Sequence, residues 1–420
     1  MSNDNQGIVE NIVKWLYPGM RIKRWLLTSI FGIAIVALGS VFAAASYTLV
    51  SIFGFVIIIC GIVLVVFGIV KIIVSLITVF LPERERELVN ILYQRRYLER
   101  GPKVVAIGGG HGLSNLLLGL KEYTSNLTAI VTVADSGGSS GRLREEFNIV
   151  APGDIRNCLV ALADAPALMG ELFQFRFSQE SELKGHNFGN LFLTAMVQLT
   201  DGDFEKAVKE SSKVLAIRGK VVPSTVNNVQ LVAEYEDGSI TEGEAKIPKA
   251  NTPIKRLYLK PEDSKPTEES VEAIKNADVI ILGPGSLYTS IIPNLIINGM
   301  TESIENSDAL KIYICNVMTQ EGETEKFSAS DHVRVLLEHT SSKIVDIALI
   351  NNAKAPGDAL ASYEKENSYP VEADSENIRM LGPKVVAEDL LGVDDYVRHD
   401  SQKLTQALID TIEKHRVIKR

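Results

Sequence analysis

Between Trp25 and Val70 the chain carries no Asp, Glu, Lys or Arg. A charge-free stretch of that length has no polar face to turn to water, so an amphipathic core helix of a soluble domain does not account for it. One membrane crossing needs roughly 20 apolar residues, and the stretch has room for two, Leu26 to Ala45 and Ser51 to Val70, joined by a turn over Ser46 to Val50. A cleaved leader would have a shorter apolar core and would end at a small-residue site before any second span. The reading is an N-terminal transmembrane helical hairpin. Lys14, Arg21, Lys23 and Arg24 precede it, Lys71, Arg84, Arg86, Arg95, Arg96 and Arg100 follow it, and the turn between the spans is uncharged. Basic flanks stay on the cytoplasmic side. The expectation is a multi-pass cell-membrane protein with both termini and its main domain in the cytoplasm: an anchor over 1–81, a helical stalk over 82–102 with acids early and bases late, and a domain over 103–420.

From Lys103 the texture changes to short β-branched runs, each followed by a Gly-rich turn and a helical stretch, which is the pattern of an open parallel sheet. Val104 to Ile107, Ala129 to Val133, Val279 to Leu282, Lys311 to Cys315 and Ile347 to Ile350 are nearly all apolar, as strands covered on both faces are. Val221 to Leu259 alternates instead and contains the turn Asp237-Gly238, which predicts a small antiparallel excursion. The fold class is α/β, a Rossmann-like doubly wound parallel sheet with that excursion. A formal charge of −9 with no basic domain argues against nucleic acid as a partner. Cys60, Cys158 and Cys315 are too scattered for a zinc site or a disulfide framework.

The strongest local feature is VVAIGGGHGLSNLLLGL, a strand ending in Gly108, Gly109, Gly110, His111 and Gly112 before a helix expected from about Leu113. Backbone amides can approach a phosphate there, because no Cβ intervenes and a helix N-terminus favours negative charge. An isolated glycine run is often only a tight turn; four glycines at a strand-to-helix junction point to a cradle. The spacing is neither a regular GxGxxG nor a GKS/T loop. The next strand leads to Asp135, then Ser136, Gly137, Gly138 and Arg142, bordering the same crevice in a doubly wound sheet. Asp135 there can accept from a sugar hydroxyl or hold a metal through water, and Arg142 and Arg144 can offset phosphate charge.

In PGDIRNCL, Asp154 is expected to cap its own helix, leaving Arg156 and Asn157 as ligand candidates. GHNFGNL sets His186, Asn187 and Asn190 before an apolar helix over Leu191 to Leu199, either as ligand groups or as a buried hydrogen-bonding corner. A second strand-loop-helix, VIILGPGSLYTSIIPNL, offers Gly283, Gly285 and Ser286 to a phosphate and Tyr288 as a hydroxyl donor. After the strand ending at Cys315, a loop with Asn316, Thr319, Gln320, Glu323, Asp331 and His332 suggests recognition more than chemistry. Neither HExxH nor a kinase motif set is present.

At these motifs, from IGGGHGLSNLLLGLK through AIVTVADSGGSSGRLR, GHNFGNL, GPGSLYTSIIPNL and NVMTQEGET to RHD, the sequence resembles the gluconeogenesis factor (YvcK) family, a branch of the group containing the CofD 2-phospho-L-lactate transferases. The resemblance spans the domain and not the anchor. It implies a CofD-like fold, a UDP-sugar ligand such as UDP-N-acetylglucosamine, and a role in cell shape and envelope metabolism, peptidoglycan included, during gluconeogenic growth, with envelope-synthesis or morphology proteins as partners and self-association left open. His111 replaces the usual Thr, and Ser136 the second of two adjacent acids; losing that carboxylate weakens a Mg²⁺ site. The expectation is a regulator that requires no cofactor. The alternatives are a CofD-type transferase using Mg²⁺ and Asp135 to move a phospholactyl-like group from a nucleoside diphosphate, and an NAD(P)-dependent oxidoreductase suggested by the fold alone.

Overall fold

A computed structural model describes residues 22–45, 47–80, 97–164, 167–250, 252–356, 360, 363, 367–393 and 397–416. The chain forms two compact units, divided at Arg95 and Arg96.

The first unit is a pair of helices, α1 (Ile22–Ala43) and α2 (Thr48–Phe80). Each contains a segment long and apolar enough to cross a membrane, Lys23–Ala43 and Thr48–Ser75. The second helix is longer than its expected span and takes in Lys71, because nothing after Val70 breaks a helix before Pro82. Gly32 and Gly39 on α1 and Gly54, Gly61 and Gly68 on α2 recur every seven residues and so share one face of each helix. That face is the contact: a Cβ at Gly61 would lie 2.8 Å from the Val36 nitrogen, and one at Gly39 2.9 Å from the Ile58 nitrogen. The helices therefore touch backbone to backbone, as small residues permit. At the open end of the pair, the Lys71 ammonium lies 5.9 Å from the centre of the Trp25 ring. Most of the expected stalk, residues 82–96, falls outside the described residues.

The second unit is built on seven parallel strands in the order β10-β9-β8-β7-β1-β2-β3. They are β1 (Val104–Gly108), β2 (Leu127–Val131), β3 (Lys220–Pro223), β7 (Val279–Leu282), β8 (Leu310–Ile314), β9 (Ile347–Asn351) and β10 (Lys384–Glu388). All five residues of β1 and all four of β7 are buried, so the apolar runs sit where both faces of the sheet are covered. A separate antiparallel sheet has the order β5-β4-β6, from β4 (Gln230–Tyr235), β5 (Ile240–Glu242) and β6 (Ile254–Lys260). The excursion is thus shorter than expected: Val221 to Pro223 pair in parallel with β2 and belong to the main sheet. A four-residue strand is too short for its alternation to say which sheet it joins.

From β1 the chain steps outward to β2 and β3, then returns on the other side of β1 as β7 before continuing to β8, β9 and β10. The direction of winding reverses between β1 and β7. Ligands of such sheets bind outside the carboxyl ends of the strands beside this reversal.

Candidate functional site

The two Gly-rich loops meet at this switch point. A Cβ at Gly112 would come within 2.7 Å of the Pro284 carbonyl oxygen, and one at Gly285 within 3.3 Å of the Gly109 carbonyl oxygen. Gly108 ends β1, and its carbonyl accepts from the Thr132 N–H at 2.9 Å and the Asn294 side-chain amide at 3.2 Å. These glycines let the loops lie against each other, so part of the glycine content serves packing. Gly110 has φ +64° and opens α3 (Gly110–Leu120), which begins three residues before Leu113. His111 is exposed in the first turn.

Asp154 does not cap its own helix. α5 (Gly153–Leu162) follows Pro152 with no side-chain cap, and the Asp154 carboxylate accepts from the Gly110 N–H at the start of α3. Glycine at 109 makes room, since a Cβ there would sit 2.6 Å from that carboxylate. The amide end expected to receive phosphate thus already holds an internal anion. Burial and then the Asp135 carboxylate push the Asp154 pKa up to about 6, against the Gly110 hydrogen bond and Arg156. Asp135 accepts from the Gly137 N–H at 2.7 Å.

Two further carboxylates enter from distant segments. Ser136 accepts from the Ala245 N–H at 3.1 Å through its hydroxyl, while its own N–H donates to Glu244. Ser136 therefore ties the antiparallel excursion to the crevice. Burial, then Asp135, Asp154 and Glu323, push Glu244 up to about 7. Glu323 accepts from the hydroxyls of Ser286 and Thr289. Burial raises its pKa, opposed by those bonds and the Tyr288 N–H. Among the described residues none of these four acids forms an ion pair.

Arginines stand beside these acids: Asp154 and Asp135 both act on Arg156. α4 (Gly138–Phe147) starts at Gly138, where φ is +50° and nothing lies within 4 Å of a Cβ position. Arg142, one turn on, donates to the Lys184 carbonyl at 3.1 Å beside Gly185. Arg176 donates to the Gly185 carbonyl at 2.7 Å. Arg156 is buried and donates to the Asn190 side chain at 3.0 Å and to Asn157 at 2.6 Å, while its Nε has no partner. Burial and then Arg176 lower its pKa.

His186 to Asn190 form the hydrogen-bonding corner. Asn187 caps the helix Phe188–Leu199, three residues longer than expected, and its N–H donates to the Ser139 hydroxyl at 3.1 Å. His186 Nδ1 lies 3.3 Å from that hydroxyl, and the Asn190 amide donates to Ser140 at 3.3 Å. The corner is what fixes the start of α4. Burial, Arg142 and Arg176 lower the His186 pKa, with Glu146 opposing.

Several expected groups serve elsewhere. Arg144 is buried and donates to Asn228 at 2.7 Å and to backbone carbonyls at Ala134 and Val229, so it braces β4 instead of facing a phosphate. Tyr288 is 1% exposed, its ring against Phe327 and His339. Thr319 bonds both ways to the Tyr369 backbone, at 2.7 and 2.9 Å. Asp331 completes a capping box with Ser328 on the helix Ala329–His339. Asn316 reaches Gln320 at 3.5 Å in the loop that carries Glu323. Sequence reasoning missed Glu244 and Arg176, which stand in no motif.

Among the described residues no three His, Cys, Asp or Glu side chains are placed to hold a metal ion together.

Residues 104–391 match the family model described as 2-phospho-L-lactate transferase CofD. The Bacillus subtilis protein named gluconeogenesis factor is 47% identical over 312 residues, covering 74% of this chain and 99% of its own length. A Nostoc sp. relative bearing the gluconeogenesis factor designation is 45% identical over 418 residues, covering 94% of this chain and 91% of its own, a share that must take in most of the N-terminal hairpin. A crystal structure of a Bacillus halodurans protein superposes with TM-score 0.72 at 48% identity, covering 74% of this chain and all of that one. The chain belongs to the gluconeogenesis factor (YvcK) family within the CofD group.

Proposed function

We propose that the crevice binds a UDP-sugar of the UDP-N-acetylglucosamine type and that the protein is a membrane-tethered regulatory factor for envelope metabolism, cell shape and gluconeogenic growth. The observation carrying the ligand class is the gathering of acids and arginines around the paired Gly-rich loops at the β1–β7 switch point. A diphosphate is suited to the open start of α4 beside Arg142, Arg156 and Arg176. Sugar and ribose hydroxyls, which donate, are suited to Asp135, Asp154, Glu244 and Glu323. On this reading phosphate moves from the Gly108–Gly112 loop, whose leading amide Asp154 already occupies, to the neighbouring helix. The physiological role rests on the name shared by the relatives and on the motif resemblance. The tether, with the main domain in the cytoplasm, rests on α1, α2 and their basic flanks.

Calorimetry of the protein with UDP-N-acetylglucosamine, GDP and NAD tests it. Saturable binding of the UDP-sugar, unchanged on recovery, is expected, with Arg156→Ala and Arg142→Ala weakening it together. Turnover that needs Mg²⁺ and fails in Asp135→Asn would replace the regulator with a transferase, and preference for NAD would indicate an oxidoreductase. No UDP-sugar binding at millimolar concentration overturns the proposal.

A further inference from the structure

A second cavity, of about 410 Å³, lies between β6 and the helix Ala329–His339. Ile254, Tyr288, Glu323, Phe327, Glu338 and His339 are among the residues that line it. We propose that it is a second ligand site, meeting the crevice at Glu323, for a small molecule carrying an ammonium group on an apolar or aromatic frame.

The inner wall is aromatic. The Tyr288 ring meets Phe327 at 6.4 Å between centres and His339 at 6.0 Å, both edge-on. Ring faces attract cations when the cation is removed from water. His339 adds no charge of its own: Nε2 accepts from the Leu257 N–H at 3.2 Å and Nδ1 donates to the Val335 carbonyl at 2.8 Å, the pattern of a neutral imidazole.

The charge balance is negative. Both cations at the cavity are engaged by carboxylates, Lys255 with Glu234 at 2.6 Å and Arg334 with Asp331 at 3.0 Å and Glu338 at 3.1 Å. Glu236, Glu323 and Glu325 also line the space, and Glu323 receives only neutral donors, the Ser286 and Thr289 hydroxyls and the Tyr288 N–H. An ammonium would bring Glu323 the counter-charge it lacks while resting on Phe327, a more exposed ring of the aromatic wall than Tyr288. The Tyr288 phenol, held protonated by burial and by Glu338, Glu323 and Asp331 against Arg334, remains a neutral partner for an N–H. Because Glu323 also faces the crevice, the test uses protein free of nucleotide, where the cavity lining alone decides the outcome.

Benzylamine is the probe, titrated calorimetrically into the full-length protein near neutral pH, with benzyl alcohol and benzoate as the neutral and anionic matches. Saturable millimolar binding of benzylamine is expected, about tenfold tighter than the alcohol, with benzoate not binding. Glu323→Gln should weaken benzylamine about tenfold, and Phe327→Ala several-fold with less effect on charge preference. Glu236→Gln, on the exposed rim, gives a smaller loss and keeps the test valid if Glu323→Gln disturbs the fold. Equal binding of the alcohol, preference for benzoate, no binding of benzylamine, or binding that Glu323→Gln, Phe327→Ala and Glu236→Gln all leave unchanged overturns the proposal.

Discussion

Asp154 shows how one carboxyl group can tie two elements together at a cost in stability. Its folded-state pKa, about 6, stands above the ordinary aspartate value of 3.8, so the native protein keeps this proton to higher pH than the unfolded chain does. The associated stability is fully present below about pH 4 and is lost as pH rises through about 6; Glu244, at about 7, extends the loss toward neutrality. A two-unit shift corresponds to about 3 kcal/mol, less where neighbouring acids share the effect. Asp154→Asn keeps an acceptor for the Gly110 N–H and removes the charge. Urea midpoints measured from pH 4 to 8 should fall with pH in the parent and fall less steeply in this variant, where Glu244 alone of the two acids remains, and the variant should be the more stable at pH 7.5. A parallel decline in both proteins would assign the trend to other groups. The residue types at this site were legible in the motif PGDIRNCL, but the role of Asp154 was not. Local spacing ranks a cap by its own helix, and the partner here is the start of α3, brought near only by the sheet. Glu244 was invisible for the same reason, since what recruits it is the Ser136 backbone across the fold.

The elements themselves were largely written in local pattern. Five apolar runs marked β1, β2, β7, β8 and β9 because strands buried on both faces need no alternation. β10 escaped because its residues are half-buried or exposed, and β3 because four residues carry too little pattern. Glycine was legible as a loop former but not as a contact surface. Gly112→Ala would press a Cβ to 2.7 Å from the Pro284 carbonyl, backbone against backbone, with no flexible side chain to give way. It should cost about 1–3 kcal/mol in chemical denaturation and, by parting the two loops, weaken the UDP-sugar binding proposed above. In the hairpin, Gly61→Leu should force α1 from α2, whereas Val63→Leu, at a position 61% exposed, should not. Hydrogen exchange in detergent would read this directly as lost amide protection along both helices in the first variant alone. Equal protection in both would show that the glycine face does not hold the pair.

For the whole molecule, the question is where the domain becomes independent of the anchor. The Bacillus halodurans structure matches only 74% of this chain yet is covered completely, so the same sheet is built there without a counterpart to the rest. The boundary here lies earlier than Lys103. Leu98 is buried, and its carbonyl accepts from the N–H groups of Gly101 and Ser125 at 3.1 Å each. The Thr124 hydroxyl donates to the Pro102 carbonyl at 2.9 Å, and the Asn126 amide reaches the Glu99 and Gly101 carbonyls at 2.8 and 2.9 Å. Residues 97–102 thus clamp the turn that leads into β2. A truncation starting at Tyr97 should keep the melting midpoint of the domain and, on the proposed function, bind a UDP-sugar as the full chain does. One starting at Lys103 exposes apolar surface and strips partners from Thr124 and Asn126, and should lose about 2–4 kcal/mol. On the proposed function, the Tyr97 truncation should in cells leave the membrane fraction and impair the envelope phenotype despite intact binding, since a tether would raise local concentration near membrane-bound partners. Full rescue by that truncation would assign the function to the domain alone and leave the hairpin without a part in it.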